Sequence, residues 1–283
     1  MFLRSLVSTR RRKRAVSLAL AVALAPVWAA GSGTVADTGR RLADDIVQHG
    51  VVAAIEGARP AGYPIGGIDI SSHDHRRFAM QWPTEAAAGS QFVYVKATEG
   101  TTYVNPYFAD DYDDARAADR YVGAYVYARP DHGDPVGQAE FFLRHSRFAR
   151  DARTLVPFVD LEWPYAGLKT GRCYGLTPGQ MRTWIHAFIG RIEAGIGRKP
   201  MIYTNAYWWD PCTGNDPSFA QYPLDISNYT KKPPTLPAGW TTFTLWQYTP
   251  GDPSRRDDHD RDVVNGGLAG LKGLVWPPSQ ANR

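Results

Sequence analysis

Residues Leu155 to Trp163 read LVPFVDLEW, an apolar run that ends in two acids two positions apart, Asp160 and Glu162. Side chains of a strand alternate between faces, so both acids point the same way, roughly 7 Å apart at the backbone, while Val159 and Leu161 point oppositely. Two like charges about 6 Å apart repel by roughly 3 kcal/mol at an effective dielectric near 20. That is enough to raise one carboxyl's pKa by about two units. One acid then keeps its proton near neutrality while the other stays ionised, which is the division of labour that cleavage of a glycosidic bond requires. An isolated D-x-E is more often a salt-bridged strand end, so the rest of the chain has to decide.

Further acids fall at comparable places. Asp69 lies in GGIDIS between Ile68 and Ile70, on the opposite strand face from those two. A carboxylate in an apolar strand is costly unless it is hydrogen-bonded or used. Asp260 and Asp262 sit in DHDRDVVNG, a charge-rich stretch equally compatible with a solvated loop. Tyr125, Tyr127, Tyr203, Trp208, Trp209, Tyr229, Trp246 and Tyr248 lie at or near expected strand ends, where rings could stack on sugars. Each ring alone reads as core; beside paired acids, together they suggest a carbohydrate cleft. The chain has no G-x-S-x-G elbow, no H-E-x-x-H and no glycine-rich phosphate loop before a helix. His73, His75 and His132 fall in polar segments that read as exposed loops.

The elements that must hold these residues alternate. Strands are expected at Gly67–Ser71, Phe92–Ala97, Val122–Ala128, Leu155–Glu162, Pro200–Thr204, Leu224–Tyr229, Phe243–Tyr248 and, weakly, Arg261–Val264. Helices are expected at Pro106–Ala118, Pro135–Phe148 and from Thr177 to about Ala194. The last opens on a capping box, Thr177 with Gln180, and carries one apolar stripe, Met181, Trp184, Ile185, Phe188, Ile189 and Ile192. Alternation implies a parallel sheet, and about eight strands in one chain imply a closed α/β barrel of the (β/α)8 kind. Its last third leaves little room for helices, and its C-terminal strand ends would gather Asp160 and Glu162 at one mouth.

Composition bounds the rest. Arg4 to Arg14 carries six cations and no acid, followed by an apolar run over Ala15–Ala30, so residues 1–30 are expected to be a secretory signal peptide. Thr9-Arg10-Arg11 faintly resembles a twin-arginine export signal. Removing those six cations from 32 leaves 26 basic against 28 acidic residues, a net charge of −2, so the basic pI is no argument for nucleic acid. Residues 31–64 read as a linker or N-terminal arm with a helix around Leu42–Ile55, residues 65–276 as the barrel, and 277–283 as a tail. The expected location is extracellular, with no stable membrane insertion after cleavage of the leader, and the chain is expected to be a monomer. Cys173 and Cys212 are the only cysteines; export favours a disulfide between them over a metal site, for which they lack histidine partners.

The segments GGIDISSH, FVYVKATEGTTYVNPYF, GAYVYARP, VPFVDLEW, KPMIYTNAYWWDPCTG and LWQYTPG, followed by DRDVVNG, resemble in order those of family 25 glycoside hydrolases, the Chalaropsis-type lysozymes. The resemblance runs from about Gly66 to Leu271. It implies a modified TIM-like (β/α)5(β)3 barrel, no cofactor, and retaining cleavage of the β-1,4 bond between N-acetylmuramic acid and N-acetylglucosamine in peptidoglycan. It makes Glu162 the general acid and Asp160 the group that orients the substrate's 2-acetamido arm, a substrate-assisted scheme. Asp69 and Asp260 match two further acids of the family's cleft, and Tyr127, Tyr229 and Trp246 match aromatic positions around the sugar. LDISNY departs from the family pattern, with Asp225 where an aromatic is expected and Asn228 where arginine is common, so an extra acid is expected to enter the cleft. The altered pair motivates a rival reading, a glycan-binding protein that kept the barrel and lost turnover; an enzyme acting on chitin is a third.

Overall fold

The computed structural model describes residues 59–276 except 77, 231 and 253–257. The expected signal peptide, the helix around Leu42–Ile55 and the 277–283 tail lie outside the described residues. The barrel wall begins with β1 (Gly66–Ile70), α1 (Trp82–Ala87), β2 (Ser90–Glu99) and a short β3 (Tyr103–Val104). It continues through α2 (Phe108–Ala117), β4 (Tyr121–Tyr127), α3 (Pro135–His145) and β5 (Phe158–Asp160). Then come α4 (Pro178–Ile196), β6 (Met201–Thr204), α5 (Ala206–Thr213) and three strands with no α-helix between them among the described residues, β7 (Leu224–Ser227), β8 (Leu245–Thr249) and β9 (Asp260–Val264). A last helix, α6 (Gly267–Leu274), follows.

The strands form one sheet in the order β1-β9-β8-β7-β6-β5-β4-β2-β3, closed by β1 pairing with β2. Because β3 only folds back on β2, the other eight strands make the wall. Within that wall all neighbours are parallel except β9, which runs antiparallel to both β8 and β1. Five strand–helix units followed by three bare strands make this the modified (β/α)5(β)3 barrel. The antiparallel β9 turns its N-terminal end, Asp260, to the same rim as the C-terminal ends of the others, and registers Asp260 opposite Asp69.

Alternation decides which side each residue faces. Ile68, Ile70, Val93, Val95, Val126, Val159, Ile202, Ile226 and Val263 look outward and join the core beneath the helices. The α4 stripe meets them: Met181, Trp184, Ile185, Phe188, Ile189 and Ile192 are all buried, each such side chain stabilising the fold by roughly 1.5–3 kcal/mol. Thr177 and Gln180 form the expected capping box. Phe92, Tyr94, Tyr125, Phe158, Met201, Tyr203 and Leu245 look inward and fill the barrel, with Leu271, Leu274 and Val275 plugging its floor. The rings are close-packed, Tyr125 and Phe158 stacking with centroids 4.5 Å apart. Glycines make the room: a Cβ on Gly123 would lie 2.2 Å from the Tyr94 ring, and one on Gly67 would lie 2.5 Å from that of Phe92.

The expected strand Leu155–Glu162 is shortened to β5. Pro157 has no N–H to give the ladder; before it Thr154 and Leu155 make one isolated bridge each, to Val122 and Val275, and Val156 donates to Leu274 of the plug. At its other end the strand stops at Asp160, and Glu162 lies two residues beyond it. His75 is also not the exposed loop residue expected: its ring stacks on Tyr107 at 3.9 Å and Nε2 lies 2.8 Å from Asp111 Oδ2.

Candidate active site

At the rim, β5 supplies Asp160, which is buried, and the chain just beyond it supplies Glu162, which is half-buried. The extension that carries Glu162 is held on both sides. Leu161 N–H donates to the Tyr203 carbonyl at 3.0 Å, and Thr204 Oγ1 donates to the Leu161 carbonyl at 2.7 Å. Leu161 is buried among the outward residues, so Glu162 keeps the inward direction of Asp160. Tyr127 Oη donates to the Trp163 carbonyl at 2.6 Å and lies 3.0 Å from Tyr174 Oη, which ties the segment to the loop before α4.

That loop is covalently anchored. Cys173 and Cys212 are bonded, with Cα atoms 5.2 Å apart, joining the loop to α5 as the sequence led us to expect. Trp208 Nε1 adds a hydrogen bond to the Arg172 carbonyl at 3.0 Å. The brace thus reaches Glu162 through Tyr174, Tyr127 and Trp163.

Asp69 of β1 and Asp260 of β9 face each other across one register step. Between them stands Gln247 of β8, whose Nε2 donates to Asp69 Oδ2 at 2.7 Å and to Asp260 Oδ2 at 3.4 Å. Its Oε1 accepts from Tyr203 Oη at 2.8 Å and Tyr229 Oη at 2.9 Å. The Gly251 amide donates to Asp260 Oδ1 at 2.5 Å. His259, the residue before Asp260, is buried with Nδ1 2.7 Å from Asp74 Oδ1, which ties the β8–β9 loop to the β1–α1 loop.

The four acids share one environment, and all are harder to ionise than usual. Burial, then the neighbouring Asp260 charge, lifts Glu162 from an ordinary 4.5 to about 7. Burial, then the charge of Glu162, holds Asp160 well above the carboxylate range, and Asp160 Oδ1 has no hydrogen-bond partner. Burial lifts Asp260 to about 7 against the opposing Gly251 amide, and burial with the charges of Asp260 and Asp262 lifts Asp69. Lys96 is the cation that favours the charged forms of both Asp160 and Glu162. Its Nζ sits 2.9 Å from Glu99 Oε2 and 4.8 Å from the centre of the Tyr127 ring. Four carboxyls this close cannot all be ionised, so the site stores protons near neutrality.

Tyr127 is packed under Lys96 at the edge of this rim, and Tyr229 is half-buried beside Gln247. Trp246 does not join them. Alternation along β8 sends Leu245 and Gln247 inward and Trp246 outward, where its buried ring packs on Tyr63, Phe243 and Tyr248. Its Nε1 donates to the Asn228 carbonyl at 2.8 Å, so Trp246 is a buttress for the β7 end and not a wall of the cleft. Trp208, Trp209 and Tyr248 likewise belong to the outer core. Asp225 is not exposed at the mouth: it is buried inside the barrel, where it interacts with the charges of Asp69 and Asp262. Gln247, Lys96 and Tyr174 escaped the sequence reading. Gln247 was within its reach, since a polar residue two places after inward Leu245 must share its face.

A barrel whose strand ends present a half-buried acid still protonated near pH 7, beside a second carboxyl, is the working end of a glycoside hydrolase. The sequence model for glycosyl hydrolases family 25 matches residues 68–254, and the chain belongs to that family. It is 37% identical over 277 residues to lysozyme M1 of Streptomyces globisporus, covering 92% of this chain and 91% of that one. It is 36% identical to the N,O-diacetylmuramidase of a Chalaropsis species, covering 75% of this chain and 99% of the relative. Among solved structures, the family GH25 lysozyme of Aspergillus fumigatus superposes with a TM-score of 0.69 at 38% identity, over 75% of this chain and 99% of its own.

Proposed function

We propose that the protein is an exported lysozyme that hydrolyses the β-1,4 bond between N-acetylmuramic acid and N-acetylglucosamine in peptidoglycan. The similarity to a lysozyme and an N,O-diacetylmuramidase supports the substrate class. The observation that carries the chemistry is Glu162, an inward acid at the barrel mouth with a pKa of about 7 beside Asp160. In this reading Glu162 gives its proton to the glycosidic oxygen as the bond to the anomeric carbon breaks. The carbonyl oxygen of the substrate's own 2-acetamido group attacks that carbon, and a carboxyl oxygen of Asp160 accepts the amide N–H and holds the group in line. Glu162, now a carboxylate, removes a proton from water as the water opens the ring, and two inversions leave the configuration retained. Asp69 and Asp260 border the same mouth, with Tyr127 and Tyr229 as the ring and hydroxyl contacts to sugar.

Export rests on the sequence of residues 1–30; among the described residues no helix is long and apolar enough to cross a membrane. The test is clearing of a bacterial wall suspension, with mass spectrometry of the fragments. Reducing muramic acid ends are expected from wild type and not from Glu162→Gln. Wall binding without new reducing ends would support the glycan-binding rival instead.

A further inference from the structure

We propose that Gln247 is the positioning residue of this cleft, an amide locked in one orientation that holds Asp69 and Asp260 as hydrogen-bond acceptors and the Tyr203 and Tyr229 hydroxyls as donors. The inference rests on the hydrolase reading of the same site and adds a residue to it. The geometry leaves the amide one useful orientation. Two phenol hydroxyls converge on Oε1 at 2.8 and 2.9 Å, saturating its lone pairs. The other end of the amide must then present N–H, and it meets a carboxyl oxygen of Asp69 at 2.7 Å and, more loosely, one of Asp260 at 3.4 Å. Turned over, the amide would aim its oxygen at two carboxylates and its N–H groups at hydroxyls already aimed to donate.

Gln247 is buried, and four hydrogen-bond partners hold its amide. It links strands that the fold brings together late in sequence, β1, β6, β8, β9 and the end of β7. Its N–H favours the ionised forms of the acids it touches. The groups that oppose ionisation there come from every neighbouring element. Asp262 lies on β9, Asp225 on β7, and Asp74 in the β1–α1 loop, while Asp160 and Glu162 face the pair from the end of β5. His259 and Asp258 flank Asp260 in the loop before β9, and Tyr125 of β4 faces Asp69.

Two variants separate the roles. Gln247→Met keeps the volume and loses every hydrogen bond. Gln247→Glu keeps the shape; when neutral it still accepts from the tyrosines and donates O–H toward Asp69, and when ionised it can only repel. Hydrolysis of solubilised glycan strands is measured from pH 4 to 8. Gln247→Met is expected to lose about tenfold to a hundredfold in kcat/KM at every pH, the worth of a hydrogen bond to a charged group. Gln247→Glu is expected to match that loss at pH 8 and to recover as pH falls. Equal losses in the two variants at all pH values, or wild-type rates in Gln247→Met, would overturn the proposal. Carboxyl-carbon NMR of aspartate-labelled protein reads the same interaction without turnover: the Asp69 and Asp260 titrations should move upward in Gln247→Met, and unmoved titrations refute it. Should those titrations move while wild type releases no reducing ends, the hydrolase reading fails and the positioning role stands.

Discussion

Replacing Glu162 by Gln tests the central group directly. Moving a carboxyl from an ordinary 4.5 to about 7 means that at pH 7 about half the molecules carry the proton, instead of about one in 300. The barrel mouth therefore supplies about 3 kcal/mol toward having the acid ready, chiefly by burying it. Proton donation in the transition state is worth a further hundredfold to ten-thousandfold. Glu162→Gln should thus lower kcat/KM on peptidoglycan by at least about a hundredfold near pH 6. The wild-type profile should have an alkaline limb at about pH 7, falling tenfold per unit above it, and the variant should lack that limb. An aryl glycoside whose leaving group departs without a proton separates the roles, since the variant should keep nearly the wild-type kcat/KM on it while kcat falls, because Glu162 also activates the water of the second step. Rates would be followed by reducing-end release, with near-ultraviolet circular dichroism to verify folding. A variant that clears walls at the wild-type rate, or one that keeps the alkaline limb near pH 7, refutes Glu162 as the acid.

Other outcomes follow from the same coordinates. Replacing Cys173 and Cys212 by Ser opens a cross-link spanning 39 residues and should cost about 4 kcal/mol in a denaturant titration, with kcat falling because Tyr174 and Tyr127 lose their anchor. Asp225 binds its proton more tightly in the folded barrel, chiefly through burial and then through Asp69, so the wild type loses stability as pH rises above the ordinary value of 3.8. Asp225→Asn should therefore be more stable than wild type at pH 7 by up to about 1.4 kcal/mol for each unit by which the folded value is raised, with the advantage vanishing below about pH 4. Equal pH dependence of thermal unfolding in the two proteins would count against this. Gly123→Ala forces a methyl against Tyr94 in the filled barrel and should cost about 1–3 kcal/mol, read as a lowered Tm. An unchanged Tm would show that the ring can move aside.

Local rules carried much of the architecture. The α4 stripe and its capping box lie within one stretch of chain, so three- and four-residue spacing was sufficient to name every residue that α4 buries except Ile196, in a last turn that the sequence reading left out. Alternation likewise put Asp69 opposite Ile68 and Ile70, and the D-x-E spacing kept Asp160 and Glu162 on one side although the strand stops at Asp160. Alternation also held the answer for Trp246, but a ring near a strand end looks the same from sequence whether it faces a sugar or a helix. The reversal of β9, which brings Asp260 opposite Asp69, depends on how the sheet closes.

What the amino-acid order determined unaided was therefore the set of acids, the period of each element and the leader-like charge pattern, because these are properties of neighbours in the chain. What tertiary structure decided was which groups meet. Gln247 reaches Asp69 across 178 positions, and Asp225 ends buried inside the barrel. A carboxyl's readiness to hold a proton comes from water excluded by walls contributed by distant strands, so the raised pKa of Glu162 exists only once the barrel has closed around it.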